Sequence, residues 1–202
     1  VYFFKLLYPF RLSNGPGRLI AAAAGGCILT ERDVLAGIGG FTAIKGAIID
    51  DCSLARAVKR NGGRTWIGLS HAARSLRPYA GLGEIRRMVA RSAYTQLRHS
   101  LALLLLCTLV FALACAVPPL ILAAAPVLAA KLLAAAAFLF MALGYLPVLN
   151  YYRMPRLLAL LMPLIGMIYL AMTWNSAFDH WRGRRSLWKG RVYSRDLKKV
   201  KS

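Results

Sequence analysis

The chain has 202 residues, 58% of them apolar, and 27 Lys and Arg face only 7 Asp and Glu, for a net charge of +20. A disordered basic tail carries no such apolar content, and a soluble domain has little use for so much charge, so the two excesses belong to different segments of a membrane protein. A secreted disulfide scaffold and a free basic nucleic-acid module are excluded, and no nucleic-acid partner is expected. Residues 1–99 carry +10, residues 100–178 carry +3 from Lys131, Arg153 and Arg156 alone, and residues 179–202 carry +7.

In chain order, Val1 opens the sequence inside an aromatic run, which reads as the start of a fragment whose upstream part is missing. Lys5 interrupts the run and no small-residue cleavage site follows, so it is no signal peptide. Tyr2, Phe3, Phe4, Tyr8 and Phe10 with Lys5 and Arg11 suit an interfacial segment. Ser13 to Gly17 is a turn cluster. Ala21 to Leu29 reads as a small-residue strand broken at Gly25-Gly26. Thr30 is the expected N-cap of a helix, with Asp33 at the capping-box position and Gly37 and Gly39-Gly40 at its end. Ala47-Ile48-Ile49 is a short apolar stretch before a second helix that starts at Asp50-Asp51. Leu54, Ala55 and Val58 form its buried stripe, Arg56, Lys59 and Arg60 its wet side, and Gly62-Gly63 its stop. Thr65 to Leu69 reads as a strand. This alternation predicts an α/β architecture over residues 1–82.

Residues 83–99 form an amphipathic basic helix. Ile85, Met88, Val89 and Leu97 mark one face and Arg86, Arg87, Arg91 and Arg98 another, a pattern that lies on lipid headgroups. Residues 100–178 contain the membrane helices, expected at about 101–117, 120–146 and 157–174. Pro118-Pro119 stops the first, and the third, with Pro163 and Gly166 inside it, is a short span or a re-entrant segment. Positive-inside bias places both basic ends in the cytoplasm and favours an even number of crossings. The tail 179–202 alternates aromatic and basic residues at Trp181, Arg182, Arg184, Arg185, Trp188, Lys189 and Arg191, which fits a membrane surface or a return toward the active site. Cys27, Cys52, Cys107 and Cys115 form no C-x-x-C pair and read as free thiols with no metal site.

Asp50-Asp51 is the pair that invites chemistry. Spacing alone allows an N-cap with a solvated neighbour, or a carboxylate poised to take a proton from an acceptor hydroxyl. Gly25-Gly26-Cys27 is either a small-residue loop that lets a sugar approach the backbone or a plain tight turn. His71 and His99 are surface or interface groups with no catalytic assignment.

The strings Ala24-Gly25-Gly26-Cys27, Glu31-Arg32-Asp33-Val34-Leu35 with Gly39-Gly40-Phe41, and Ile49-Asp50-Asp51 with Leu54 and Gly62-Gly63 resemble the C-terminal half of a family 2 glycosyltransferase of GT-A fold. Ile49 to Arg60, Ser75-Leu76-Arg77-Pro78-Tyr79, Met88 to Arg98, His180 to Arg184 and Trp188 to Tyr193 resemble, more closely, the hopene-associated glycosyltransferases of bacteria. The resemblance implies a membrane enzyme that transfers a sugar from a nucleotide sugar to a lipid or polyisoprenoid acceptor, with inversion. It also implies a bacterial inner-membrane location with the catalytic part and the tail cytoplasmic. Asp51 takes the place of the general base, with Asp50 beside it. A divalent cation, Mg or Mn, is implied, with ligands in an upstream D-x-D motif that residues 1–202 lack, so the fragment alone is expected to be inactive. Related members carry Gln/Arg-x-x-Arg-Trp, of which only Arg91 matches here, as a contact to acceptor or diphosphate or else to a headgroup. The rival class is a non-enzymatic membrane protein that binds anionic lipid or a partner through its basic faces.

Overall fold

A computed structural model describes residues 1–72 and 81–183, together with the backbone of 186–188 and 191–193. The expectations for Ser75 to Tyr79, for Arg184, Arg185 and Lys189, and for the side chains of Trp188 and Arg191 lie outside the described residues. The chain divides into two compact units, one of residues 1–80 with 186–202 and one of residues 81–185.

The first unit opens with two short helices, α1 (Tyr2–Leu7) and α2 (Phe10–Asn14), broken at Pro9. α3 (Arg32–Gly37) follows, then a 3-10 turn over Gly40–Ile44, then α4 (Asp50–Arg60). Glu31, not Thr30, occupies the N-cap of α3, and no side chain caps it. The core gathers Tyr8, Ala22, Cys52 and Ile67, with Phe4, Phe10, Ile20 and Ile49 packed against them. Strands β1 (Ser186–Trp188) and β2 (Arg191–Tyr193) pair antiparallel with Leu187 opposite Val192.

The expected α/β architecture, the C-terminal part of a GT-A Rossmann-like domain, is therefore corrected. That hairpin is the only sheet among the described residues, and residues 21–29, 47–49 and 65–69 form no strand. Side chains answer backbone groups that a sheet ladder would have paired. Asn14 Nδ2 donates to the Ile67 carbonyl at 2.9 Å, and Ile67 N–H donates to Asn14 Oδ1 at 2.7 Å, so one amide stands in for a neighbouring strand. Ala22 N–H donates to Ser13 Oγ at 3.0 Å and Thr65 Oγ1 to the Ser13 carbonyl at 3.3 Å. Ala and Gly, which dominate 21–26, also have little to pack on a pleated face.

Lys59 departs from its expected wet side. It is only 2% exposed, and its ammonium donates to the carbonyls of Gly15 at 3.0 Å, Gly17 at 2.9 Å and Ile20 at 2.8 Å. Three donors meet three acceptors, which is how a buried lysine avoids an unpaired charge.

The second unit begins with α5 (Leu82–Gln96), which exposes Arg86 and Arg87 and buries Val89 and Tyr94. A short turn follows in which Arg98 and His99 adopt φ of 52° and 56°. These are left-handed conformations unusual for side-chain-bearing residues. The Tyr94 hydroxyl braces the turn by donating to the His99 carbonyl at 2.9 Å.

α6 (Leu101–Phe111), capped by Ser100 Oγ, runs through a π-helical turn (Ala112–Ala116) into α7 (Val117–Ala124). Pro118-Pro119 does not end the run as expected. Both prolines fall in the first turn of α7, where missing N–H groups cost least, and the wider π turn absorbs the lost bonds. The break comes at residues 125–127, around Pro126. α8 (Leu128–Tyr151) and α9 (Met162–Trp181), the latter entered through a 3-10 turn at Arg156–Leu161, complete the unit. Residues 101–124, 128–151 and 156–181 are each long and apolar enough to cross a membrane.

α9 lies antiparallel to α6. Ala177 packs with Leu104 and Tyr94, Trp174 Nε1 donates to Thr108 Oγ1 at 2.9 Å, and Gly166 meets Cys115 and Phe111. α9 also docks on α5: Ser176 Oγ accepts from Tyr94 N–H at 3.0 Å and donates to the Ala90 carbonyl. His99 and His180 stack with centroids 4.2 Å apart, and the Tyr94 ring meets both edge-on.

Candidate functional site

Asp50 and Asp51 are the first two residues of α4, preceded by Ile49 at the N-cap. Neither is the capping residue that spacing allowed. Their carboxylates serve the exposed amides of the helix start instead. Asp50 Oδ1 accepts from Asp51 N–H at 3.0 Å, and Asp51 Oδ1 accepts from Cys52 N–H at 2.7 Å. The helix dipole favours negative charge at this end, so two adjacent acids are tolerated there.

The second oxygen of Asp51 reaches across the unit. Gly25 N–H donates to Asp51 Oδ2 at 2.9 Å, joining positions 26 residues apart. Gly25 begins a turn closed by Cys27 N–H donating to the Ala24 carbonyl at 3.2 Å. A Cβ on Gly25 would stand 3.3 Å from Asp51 Oδ2, tighter than an ordinary contact. The glycine is thus explained by the approach of the carboxylate. Gly26 and Cys27 are exposed on the same turn. Asp50, Asp51 and Gly25-Gly26-Cys27 therefore share one place, while Arg91 lies half-buried on α5 in the second unit.

Asp51 is half-buried and Asp50 exposed. A carboxylate offers about four lone-pair directions. Two amide donors leave Asp51 able to accept a further hydrogen bond from a hydroxyl and to take its proton. The backbone donors also fix the carboxylate in place before any ligand arrives, which is what a positioned base needs.

Residue reading missed two supports of this site. Cys52, directly after Asp51, is buried, points its thiol at the Ala23 carbonyl at 3.7 Å and packs with Tyr8. Burial pushes its thiol above the usual range, so it stays protonated and inert near neutrality. Lys59, one helix end away, holds the loop 15–20 that leads into Ala21 and Gly25. Periodicity could have flagged Cys52, which shares a face with Ala55 and Lys59 at i, i+3 and i+7. Nothing local flags Lys59.

Among the described residues no three His, Cys, Asp or Glu side chains come together as ligands for a metal ion.

Comparison with curated proteins and with solved structures gives no match. The model of glycosyl transferase family 21 matches residues 17–199, from the turn cluster through the site and the three apolar helices into the tail. The match supports a glycosyltransferase and does not confirm the family 2 assignment that the motifs suggest. The chain belongs to glycosyl transferase family 21.

Proposed function

We propose that this chain serves the acceptor side of a membrane glycosyltransferase, with Asp51 as general base. The observation that carries the reading is the Asp51 carboxylate, held by Gly25 and Cys52 amides at the start of α4, in a family 21 chain that also has three membrane-length helices. An acceptor hydroxyl donates its proton to Asp51 as its oxygen attacks the anomeric carbon of a nucleotide sugar. The bond from that carbon to the diphosphate breaks on the opposite face, the nucleoside diphosphate leaves with the electron pair, and configuration inverts. Asp50 adds negative charge beside the base, and the Gly25-Gly26-Cys27 turn leaves backbone open to a sugar ring. Arg91 is the residue proposed to meet phosphate oxygens or a headgroup. The acceptor is membrane-borne, and the resemblance to hopene-associated enzymes points to a hopanoid-pathway lipid.

The test is sugar transfer by membranes that contain the chain together with a donor-binding half, from a labelled nucleotide sugar to extracted lipid. Asp51→Asn lowers turnover about 100-fold or more, the range general bases supply, while membrane insertion persists. Retained turnover in that variant removes Asp51 as the base.

A further inference from the structure

The first thirty residues hold Lys5, Arg11 and Arg18 and no acid; the first carboxylate is Glu31. Within this stretch α1 and α2 are apolar on two sides. Phe4, Tyr8 and Phe10 turn inward onto Ala22, Cys52 and Ile67. Leu6, Leu7 and Leu12 stay outside, 60%, 51% and 55% exposed. Leu6, Leu7 and Leu12 thus give these helices of six and five residues a second apolar face besides the one that meets the core. Lys5 lies over the Phe10 ring, its Nζ 5.6 Å from the centroid, and Arg11 is exposed beside Leu12.

We infer that α1 and α2 form an interfacial anchor that seats the first unit on an anionic lipid surface, with Leu6, Leu7 and Leu12 in the headgroup boundary and Lys5 and Arg11 on lipid phosphates. Cations flanking a short apolar face are what such a surface recognises. The bilayer is at hand, because the same chain carries three helices long enough to cross it. A second copy of this chain is a poor occupant: each copy carries +20, and the patch itself is basic, so self-association sets like charges together.

The anchor reaches toward the candidate site. Tyr8 shares its core cluster with Cys52, and Cys52 follows Asp51. Seating α1 and α2 at headgroup depth sets the Asp51 carboxylate near that depth, where a lipid presents a hydroxyl without leaving the bilayer. This consequence rests on the transferase reading; the anchor does not.

The experiment uses the whole chain in nanodiscs of phosphatidylcholine, with or without phosphatidylglycerol. A benzoylphenylalanine photocrosslinker replaces Leu6 or Leu12, and Asp33, exposed in the first turn of α3, is the control position. Irradiation gives lipid adducts at positions 6 and 12 about tenfold above position 33 in the anionic discs. Adding Lys5→Glu with Arg11→Glu lowers those adducts toward the level in pure phosphatidylcholine. Adducts no higher than at position 33, or adducts to protein in place of lipid, overturn the anchor. Equal yields in both lipids, unchanged by the charge reversals, overturn its anionic preference. Asp51→Asn leaves the adducts unchanged, so sugar transfer retained in that variant with intact crosslinking counts against Asp51 as the base and leaves the anchor standing.

Discussion

Replacing Lys59 by Met keeps most of the buried stem and removes the ammonium. Three charge-assisted hydrogen bonds, to Gly15, Gly17 and Ile20, disappear together. Each such bond is worth about 1.5–3 kcal/mol before compensation. Two effects return part of that. Met escapes the several kcal/mol spent on desolvating the ammonium, a cost already visible in the lowered pKa that burial imposes on Lys59. The freed carbonyls can also rehydrate in part, since Gly17 is exposed and Gly15 and Ile20 are half-buried. The remaining loss is about 2–3 kcal/mol, which at 1.4 kcal/mol per decade makes local opening about 30- to 150-fold more frequent. Amide hydrogen exchange of the protein in nanodiscs reads this directly. Peptides covering residues 13–25 and 50–62 should exchange faster by that factor, while peptides from α8 serve as an unchanged internal standard. Lys59→Arg should rescue only partly, because a planar fork does not reproduce the ammonium tripod. Exchange of the 13–25 segment within about threefold of the parent protein would refute the idea that Lys59 holds the loop.

Gly166→Ala places a Cβ against Cys115 Sγ, 3.3 Å from Cys115 Cβ and 3.6 Å from Phe111 Cδ1. It should cost about 1–3 kcal/mol by overpacking, and Cys115→Ala in the same chain should recover most of it, as measured by thermal unfolding in detergent. A charged thiol reagent at pH 7.5 should modify exposed Cys27 about 100-fold faster than buried Cys52, by labelling and mass spectrometry. Since burial raises the Cys52 pKa, the folded state keeps that proton after the unfolded chain has lost it. The associated stability is complete below the ordinary thiol pKa and declines as pH climbs through the window above it, so melting temperatures across pH 8 to 10 should fall less in Cys52→Ala.

Features written within one helix were legible in the sequence. α4 begins at Asp50, as the turn residues and the Leu54, Ala55 and Val58 stripe require, and the apolar runs beyond Ser100 are long helices. What the sequence could not display was pairing over distance. The apolar stretches 21–29 and 65–69 have the length of strands, yet a strand exists only with a neighbour, and Ser13 and Asn14 take the neighbour's part. Lys59 has the pattern of a solvated residue. Only the carbonyls of a loop about forty positions upstream make its burial tolerable. At the candidate site the acids were conspicuous because they are rare, and the bond from Asp51 to Gly25 was hidden because it spans 26 positions. Pro118-Pro119 misled for another reason: proline stops a helix that must keep its bonding pattern, and the π turn at Ala112–Ala116 changes that pattern first.

The antiparallel union of α6 and α9 ties two distant parts of the chain to one end of the helix pair. Leu104 meets Ala177 and His99 meets His180, so the chain leaves this pair at the end where it entered. The turn at Arg98 and His99 and the residues that follow Trp181 therefore share one side of the membrane whatever path α8 takes between them. Epitope tags placed in residues 98–100 and after Trp181 should face the same compartment.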